Sequence, residues 1–379
     1  MSAKFQPKRL QQARHLKRFT LEELGQAVDL TRQSLSQFER GERTPAPDTL
    51  KRLSESLSVP IEFFLRPMGE VESSSRGLVY YRALKKTRDV IREQQRAAAI
   101  LDLCAALVDT LQEHIEYQAP SLPRLPDDVN PLTLDLDSIE GIALATRQTL
   151  GLGLGPISDL TLLVENQSVI VAYVPLPEGM DGLSTNFGDR PFIAVSSGAT
   201  LARGRINVAH EYGHLILHHG LADEQDLDDE TFNLVESQAW RFAGAFLLPQ
   251  KSFLADVYSV SLDALSILKT KWGVSIAAMI QRLLDLGVID REQQRYLRIQ
   301  LAQRQWNKRE PGDELPRERA RLLNRAAMFL QSEGELTLPQ LASTSSMPMQ
   351  FVADALEVDV ASLLPPAPKN VVQFRMRGT

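Results

Sequence analysis

Residues 206–219 read INVAHEYGHLILHH, and the spacing of the histidines in this stretch decides how the rest of the chain is read. His210 and His214 lie four apart, which on a helix of 3.6 residues per turn puts both imidazoles on one face, able to grip one ion. Glu211 stands beside the first of them. Zinc held by three protein ligands keeps an open position for a water, and a carboxylate beside it can serve as general base, deprotonating that water for attack on a peptide carbonyl. Val208, Leu215, Ile216 and Leu217 make the segment apolar, so a buried helix is predicted over 201–218. The expectation is one Zn2+ per chain, with His210 and His214 as ligands and Glu211 as the catalytic base.

A third ligand is required, and three residues compete for it: Glu236, His218 and His219. Glu236 is preferred because it is read as opening a following helix, over 236–247, after a loop long enough to fold that helix back. His218 lies eight residues from His210, about two turns along the same helix, which suits it to a supporting role behind the ligands.

Upstream, apolar and β-branched runs at 160–165, 169–174 and 192–195 predict a small sheet, with a turn at 179–182. A helix is expected over 138–150. Beyond residue 252 the pattern is helical to about 364, and 262–290 has the look of a compact helix-turn-helix. No internal repeat of fixed period is evident.

The sequences DGLSTNFGDRPFIAV (181–195), INVAHEYGHLILHH and VESQAWRFAGAFLLP (235–249) together resemble the core of the ImmA/IrrE family of metallopeptidases, in order and spacing. The resemblance covers about residues 139–250 and implies a small mixed α/β peptidase unit. It also implies a zinc-ligand role for the glutamate of the last motif, which is Glu236. The chain departs from the family pattern at Tyr212, where a small aliphatic residue is usual, and at Trp240, where asparagine is usual.

The amino-terminal 66 residues read as five short helices. Thr20 followed by Glu23 is a capping-box pattern, Thr31 begins a third helix closed by Gly41, and Pro47 and Pro60 open the last two. The stretch LEELGQAVDLTRQSLSQFERGERTPAPDTLKRLSESLSV (21–59) resembles the Xre/Cro-type helix-turn-helix family. That resemblance assigns Thr31, Arg32, Gln33, Ser34, Ser36 and Gln37 to a major-groove surface and Arg40, Arg43 and Lys51 to phosphates. Leu35 and Phe38 are expected in the core, with Ala27 small where two helices cross.

Charge agrees with this division. Residues 1–100 carry 19 Lys+Arg against 12 Asp+Glu, in a chain whose formal net charge is −6, so positive potential gathers at the DNA-binding end. A basic cluster of Arg82, Lys85, Lys86, Arg88, Arg92 and Arg96 extends it along a predicted helix over 87–117, and Arg375 and Arg377 mark a basic tail. With 43% hydrophobic and 24% charged residues, wholesale disorder is excluded. The amino terminus lacks the apolar core of a signal peptide and no apolar run approaches the ~18 residues of a membrane span, so a cytoplasmic protein with no membrane partner is expected.

The single cysteine, Cys104, lies on the connecting helix. A thiolate is a strong zinc ligand, which makes Cys104 a candidate latch that caps the metal in a resting state.

The expected fold is mainly α with a small mixed α/β peptidase core. Residues 1–68 form a helix-turn-helix bundle, 69–136 a linker and connecting helix, 137–252 a zincin-like metallopeptidase, and 253–379 a helical regulatory or dimerising region. The expected function is that of a DNA-binding regulator with zinc endopeptidase activity. Family resemblance makes its substrate a separate small helix-turn-helix repressor, cleaved to release a stress-response, mobile-element or antiphage defence operon. DNA, duplex or single-stranded, is the other partner, and a homodimer is expected on it. The competing readings are a transcription factor whose metal domain is only a sensor, and an antitoxin that uses that domain to hold a toxin.

Overall fold

A computed structural model of the chain describes residues 4–69, 88–219, 221 and 227–365. The architecture is mainly helical with one three-stranded mixed sheet. The basic residues Arg82, Lys85, Lys86, Arg375 and Arg377 lie outside the described residues.

The head comprises α1 (Pro7–Leu16), α2 (Leu21–Val28), α3 (Arg32–Glu39), α4 (Pro47–Leu57) and a 3-10 turn (Ile61–Leu65). Thr20 accepts a hydrogen bond from the Glu23 amide while the Glu23 carboxylate accepts from the Thr20 amide, so the capping box holds two otherwise unsatisfied donors. Leu35 and Phe38 are buried as expected. Ala27, however, is exposed. The close crossing is made by Gly25, where an added Cβ would lie 2.5 Å from the Leu30 carbonyl oxygen.

A 25-residue helix, α5 (Arg88–Gln112), follows and packs against α1. Next come α6 (Leu136–Thr149), α7 (Leu160–Glu165), β1 (Ile170–Val174), β2 (Gly182–Phe187) and β3 (Arg190–Ser196). The expected strand at 160–165 is therefore a helix. Asp159 caps it by accepting from the Leu162 amide, and a six-residue apolar run does not by itself separate the two conformations. The strand that sequence reading missed is β2, whose Ser184, Thr185 and Asn186 carry little apolar signal.

The strand order is β1-β3-β2, with β1 parallel and β2 antiparallel to β3. Because side chains alternate along a strand, the sheet separates two cores. Val171, Tyr173, Ile193 and Val195 face α8 (Leu201–Leu217), while Ile170, Ala172, Phe192 and Ala194 belong to the cluster that includes α5 and the head. The long α9 (Asp229–Leu247) lies along α8 and α6. It starts two turns earlier than predicted, because Asp228 caps it and Asp229 and Glu230 suit the positive end of the helix dipole.

From residue 250 onward come α10 (Gln250–Asp256), α11 (Leu262–Trp272), α12 (Ile276–Asp285) and α13 (Arg291–Gln303), whose Leu265, Trp272, Ile280 and Leu297 join the core around α8. Finally α14 (Leu322–Ser332), α15 (Leu338–Ser345), α16 (Met349–Leu356) and a 3-10 turn (Val360–Leu363) return to α5 and to the other face of the sheet. Among the described residues no helix is long and apolar enough to cross a membrane.

Two buried carboxylates secure this return. Glu318 accepts from the Leu160 and Thr161 amides at the start of α7 and pairs with Arg205 of α8. Glu165 accepts from the Arg321 and Leu322 amides at the start of α14. Burial pushes the Glu165 carboxyl up to about 7, against the opposing pull of those amides and of Arg325 and Arg321. A carboxyl whose folded pKa lies above its unfolded value holds its proton longer when folded, so its contribution is full below pH 4.5 and is lost as pH rises through about 7. The native protein is therefore expected to lose on the order of 2–4 kcal/mol of stability between pH 5 and pH 8 relative to Glu165→Gln. Denaturant melts of both proteins across that range measure the difference.

Candidate metal centre

The core around α8 leaves this helix almost no freedom, since Val208, Ala209, Tyr212 and Ile216 are all fully buried. One turn apart on it, His210 and His214 point their Nε2 atoms at each other across 3.1 Å. Glu236 reaches the same point from α9, its Oε1 3.2 Å from His214 Nε2 and its Oε2 3.5 Å from His210 Nε2. Among the described residues these three form the group of His, Cys, Asp and Glu side chains able to hold an ion. Glu236 does not open its helix, as the sequence suggested, but sits two turns inside it. It reaches the histidines because Gly213 lets the helices close, an added Cβ there lying 3.1 Å from Phe242 Cδ1.

Burial lowers His214 to about 4, so this imidazole is neutral at pH 7 and its contact with Glu236 is not an ion pair. Burial alone would raise Glu236, but the hydrogen bonds of His210 and His214 against it outweigh burial and hold the carboxyl well below the usual range. Lone pairs thus converge from two rings and a carboxylate. Tetrahedral zinc with ligands 2.0–2.1 Å away sets its donors about 3.3 Å apart. The observed separations of 3.1, 3.2 and 3.5 Å fit that ion.

His218 lies behind His214 at the end of the same helix. Its Nδ1 is 3.1 Å from His214 Nδ1, and its Nε2 is 2.9 Å from Gln238 Oε1. The Gln238 amide nitrogen donates to the Pro131 and Leu134 carbonyls, which fixes the flip of that side chain. Proton positions then follow along the row: His218 donates from Nε2 and accepts at Nδ1, so His214 donates from Nδ1 and keeps its Nε2 lone pair free. Sequence reading missed Gln238, whose only signal is its place two residues after Glu236. Removing such an outer partner costs about 10–100-fold in metal affinity, so Gln238→Ala is expected to weaken zinc by that factor in a chelator-competition titration. His219 turns away, 3.3 Å from Asp127.

His210 is held differently. Its Nδ1 has no protein partner among the described residues, and its ring instead stacks on Trp240 at a centroid distance of 4.0 Å. The Tyr212 side chain is buried against the rings of Phe242 and Phe246, so of the two departures from the family pattern it is Trp240 that touches a candidate ligand.

Glu211 is buried, and Ser184 of β2 donates to its Oε2 at 2.7 Å. Burial pushes this carboxyl up to about 7, opposed by His210 and by the Ser184 hydrogen bond. Gly182 makes room for it, an added Cβ falling 3.0 Å from Glu211 Oε1. Cys104 is not brought to the group. It is 1% exposed on α5, in the core cluster that takes in the opposite face of the sheet.

In the head, Thr31 caps α3, Arg32, Gln33, Arg40 and Arg43 are exposed, and Ser34, Ser36 and Gln37 are half-buried beside them. They form one polar face. Arg92, placed in the basic cluster, instead pairs with Glu23 of the head at 3.2 Å.

Residues 164–284 match the family model of the IrrE N-terminal-like domain, a peptidase family, and residues 10–64 match that of a helix-turn-helix. No curated protein matches the chain. The chain therefore joins a helix-turn-helix DNA-binding head to a peptidase-family domain of the IrrE N-terminal-like type.

Proposed function

We propose that this chain is a DNA-binding regulator whose central domain is a zinc-dependent endopeptidase acting on a separate small helix-turn-helix repressor, and that its DNA contacts run through Thr31, Arg32, Gln33, Ser34, Ser36, Gln37, Arg40 and Arg43. The observation that carries the enzymatic half is the convergence of His210, His214 and Glu236 beside a base-competent Glu211. Zinc, when bound, supplies Lewis-acid activation of water and of the scissile carbonyl. Glu211, titrating near neutrality, takes the proton of the attacking water and returns it to the leaving amine. Ser184 holds one of its oxygens so that the other is aimed.

Position in the sheet supports a peptide substrate. β2 lies at the edge, and its outer backbone groups offer an extended peptide the hydrogen bonds of an added strand, next to Ser184 and Glu211. The purified chain is expected to carry about one equivalent of zinc and to cut one bond of a small helix-turn-helix repressor from its own gene neighbourhood, with cleavage stopped by a zinc chelator. Full zinc loading with no cleavage of such repressors would point instead to a metal domain that only senses.

A further inference from the structure

The last three α-helices repeat the first three of the head. A shift of 317 residues carries Thr20 to Thr337, α2 (Leu21–Val28) to α15 (Leu338–Ser345), and α3 (Arg32–Glu39) to α16 (Met349–Leu356), with no change in length. Both second helices start with a capping box, Thr20 with Glu23 and Thr337 with Gln340. Both end on a left-handed residue with φ 52°, Asp29 in one and Ser346 in the other. The core register agrees too, Leu24 with Leu341 and Leu35 with Val352, all buried. A single pair of copies sets no period, which is why the repeat escapes a search for one.

The two units differ on the third helix. In the head its outer face is Arg32, Gln33, Ser34 and Ser36, all polar, the first two exposed and the two serines half-buried. The same positions in α16 are Met349, Gln350, Phe351 and Ala353, of which Phe351 is 6% and Ala353 1% exposed. α16 packs against β1, and Phe351 shares a core cluster with Ile170 and Ala172. Arg40, at the end of α3, becomes Glu357, which accepts hydrogen bonds from Arg317 and Arg319. A groove reader needs polar side chains and cations on this face, whereas α16 covers Phe351 and Ala353 and leaves only Met349 and Gln350 of the four exposed, with no cation among them. The equivalent first helices, α1 and α14, both pack on α5, so the two units flank it.

We propose that residues 322–356 are a second helix-turn-helix unit whose third helix grips the peptidase sheet instead of DNA, so that each chain reads a single half-site through its head. The DNA half of this statement rests on the head's proposed role, whereas the docking half does not. Anisotropy with a fluorescein-labelled duplex of mixed sequence, about two turns long, tests the first half. Arg32→Glu is expected to weaken binding about tenfold, and Gln350→Glu with Met349→Glu, both at exposed positions, less than about twofold. Equal losses from the two helices would overturn the proposal. Hydrogen exchange tests the second half without DNA. Phe351→Asp is expected to speed exchange across 322–363 about tenfold while leaving the head's DNA affinity unchanged, and Phe351→Leu to restore protection. Exchange unchanged by Phe351→Asp would overturn the docking. Should that variant fail to fold, the two surface substitutions still decide between the helices.

Discussion

Glu211→Gln is expected to lower the rate of repressor cleavage by about 10²–10⁴-fold while leaving zinc content unchanged. Glutamine keeps the shape of the side chain and can still accept from Ser184 Oγ, so the packing against Gly182 is retained. What disappears is the capacity to take a proton at a pKa of about 7. The residue is buried without an ion partner, so the neutral amide costs the fold little. Single-turnover cleavage with metal analysis of the same sample gives the answer. A variant that cuts at the native rate would remove Glu211 from the chemistry.

Glu236→Ala is expected to have the larger effect on metal. It removes one of three donors and the carboxylate that offsets the ion's charge, so zinc affinity should fall by more than the 10–100-fold that loss of an outer partner costs. Since any ligand that binds only the folded state raises stability, added zinc should lift the melting temperature of the native protein and not of this variant. With chelator present the variant should melt somewhat lower than the native protein, because the carboxylate's contacts with His210 and His214 are lost, but the response to added zinc still separates the two. Equal zinc affinity in the two proteins would place the ion elsewhere.

Strong local patterns were legible in the sequence. Two histidines at helical spacing inside an apolar run, and Thr20 with Glu23 ahead of another, each specify an element and a face without help from the rest of the chain. The failures occurred where tertiary surroundings decide. Leu160–Glu165 is apolar enough for a strand, but Asp159 and Glu318 hold its first amides in a helix. β2 is a strand because β3 pairs with it and Glu211 needs Ser184, neither of which shows in the local run 182–187. Gln238 and Trp240 reach the centre only once α9 has closed on α8. Cys104 suggested a latch by its chemistry alone, whereas its neighbours on α5 bury it among leucines and alanines.

Arg66, just after the head's last turn, donates to the Ala106 carbonyl and the Thr110 hydroxyl of α5 and to the Ser345 carbonyl at the end of α15. A guanidinium that ties the head to two other segments resists its turning on them. On the proposed reading, the scissors and the hand meant for the double helix would therefore keep a constant bearing to one another. A target seated on the same duplex comes within reach only at certain rotational settings, recurring with each turn of about 10–10.5 base pairs.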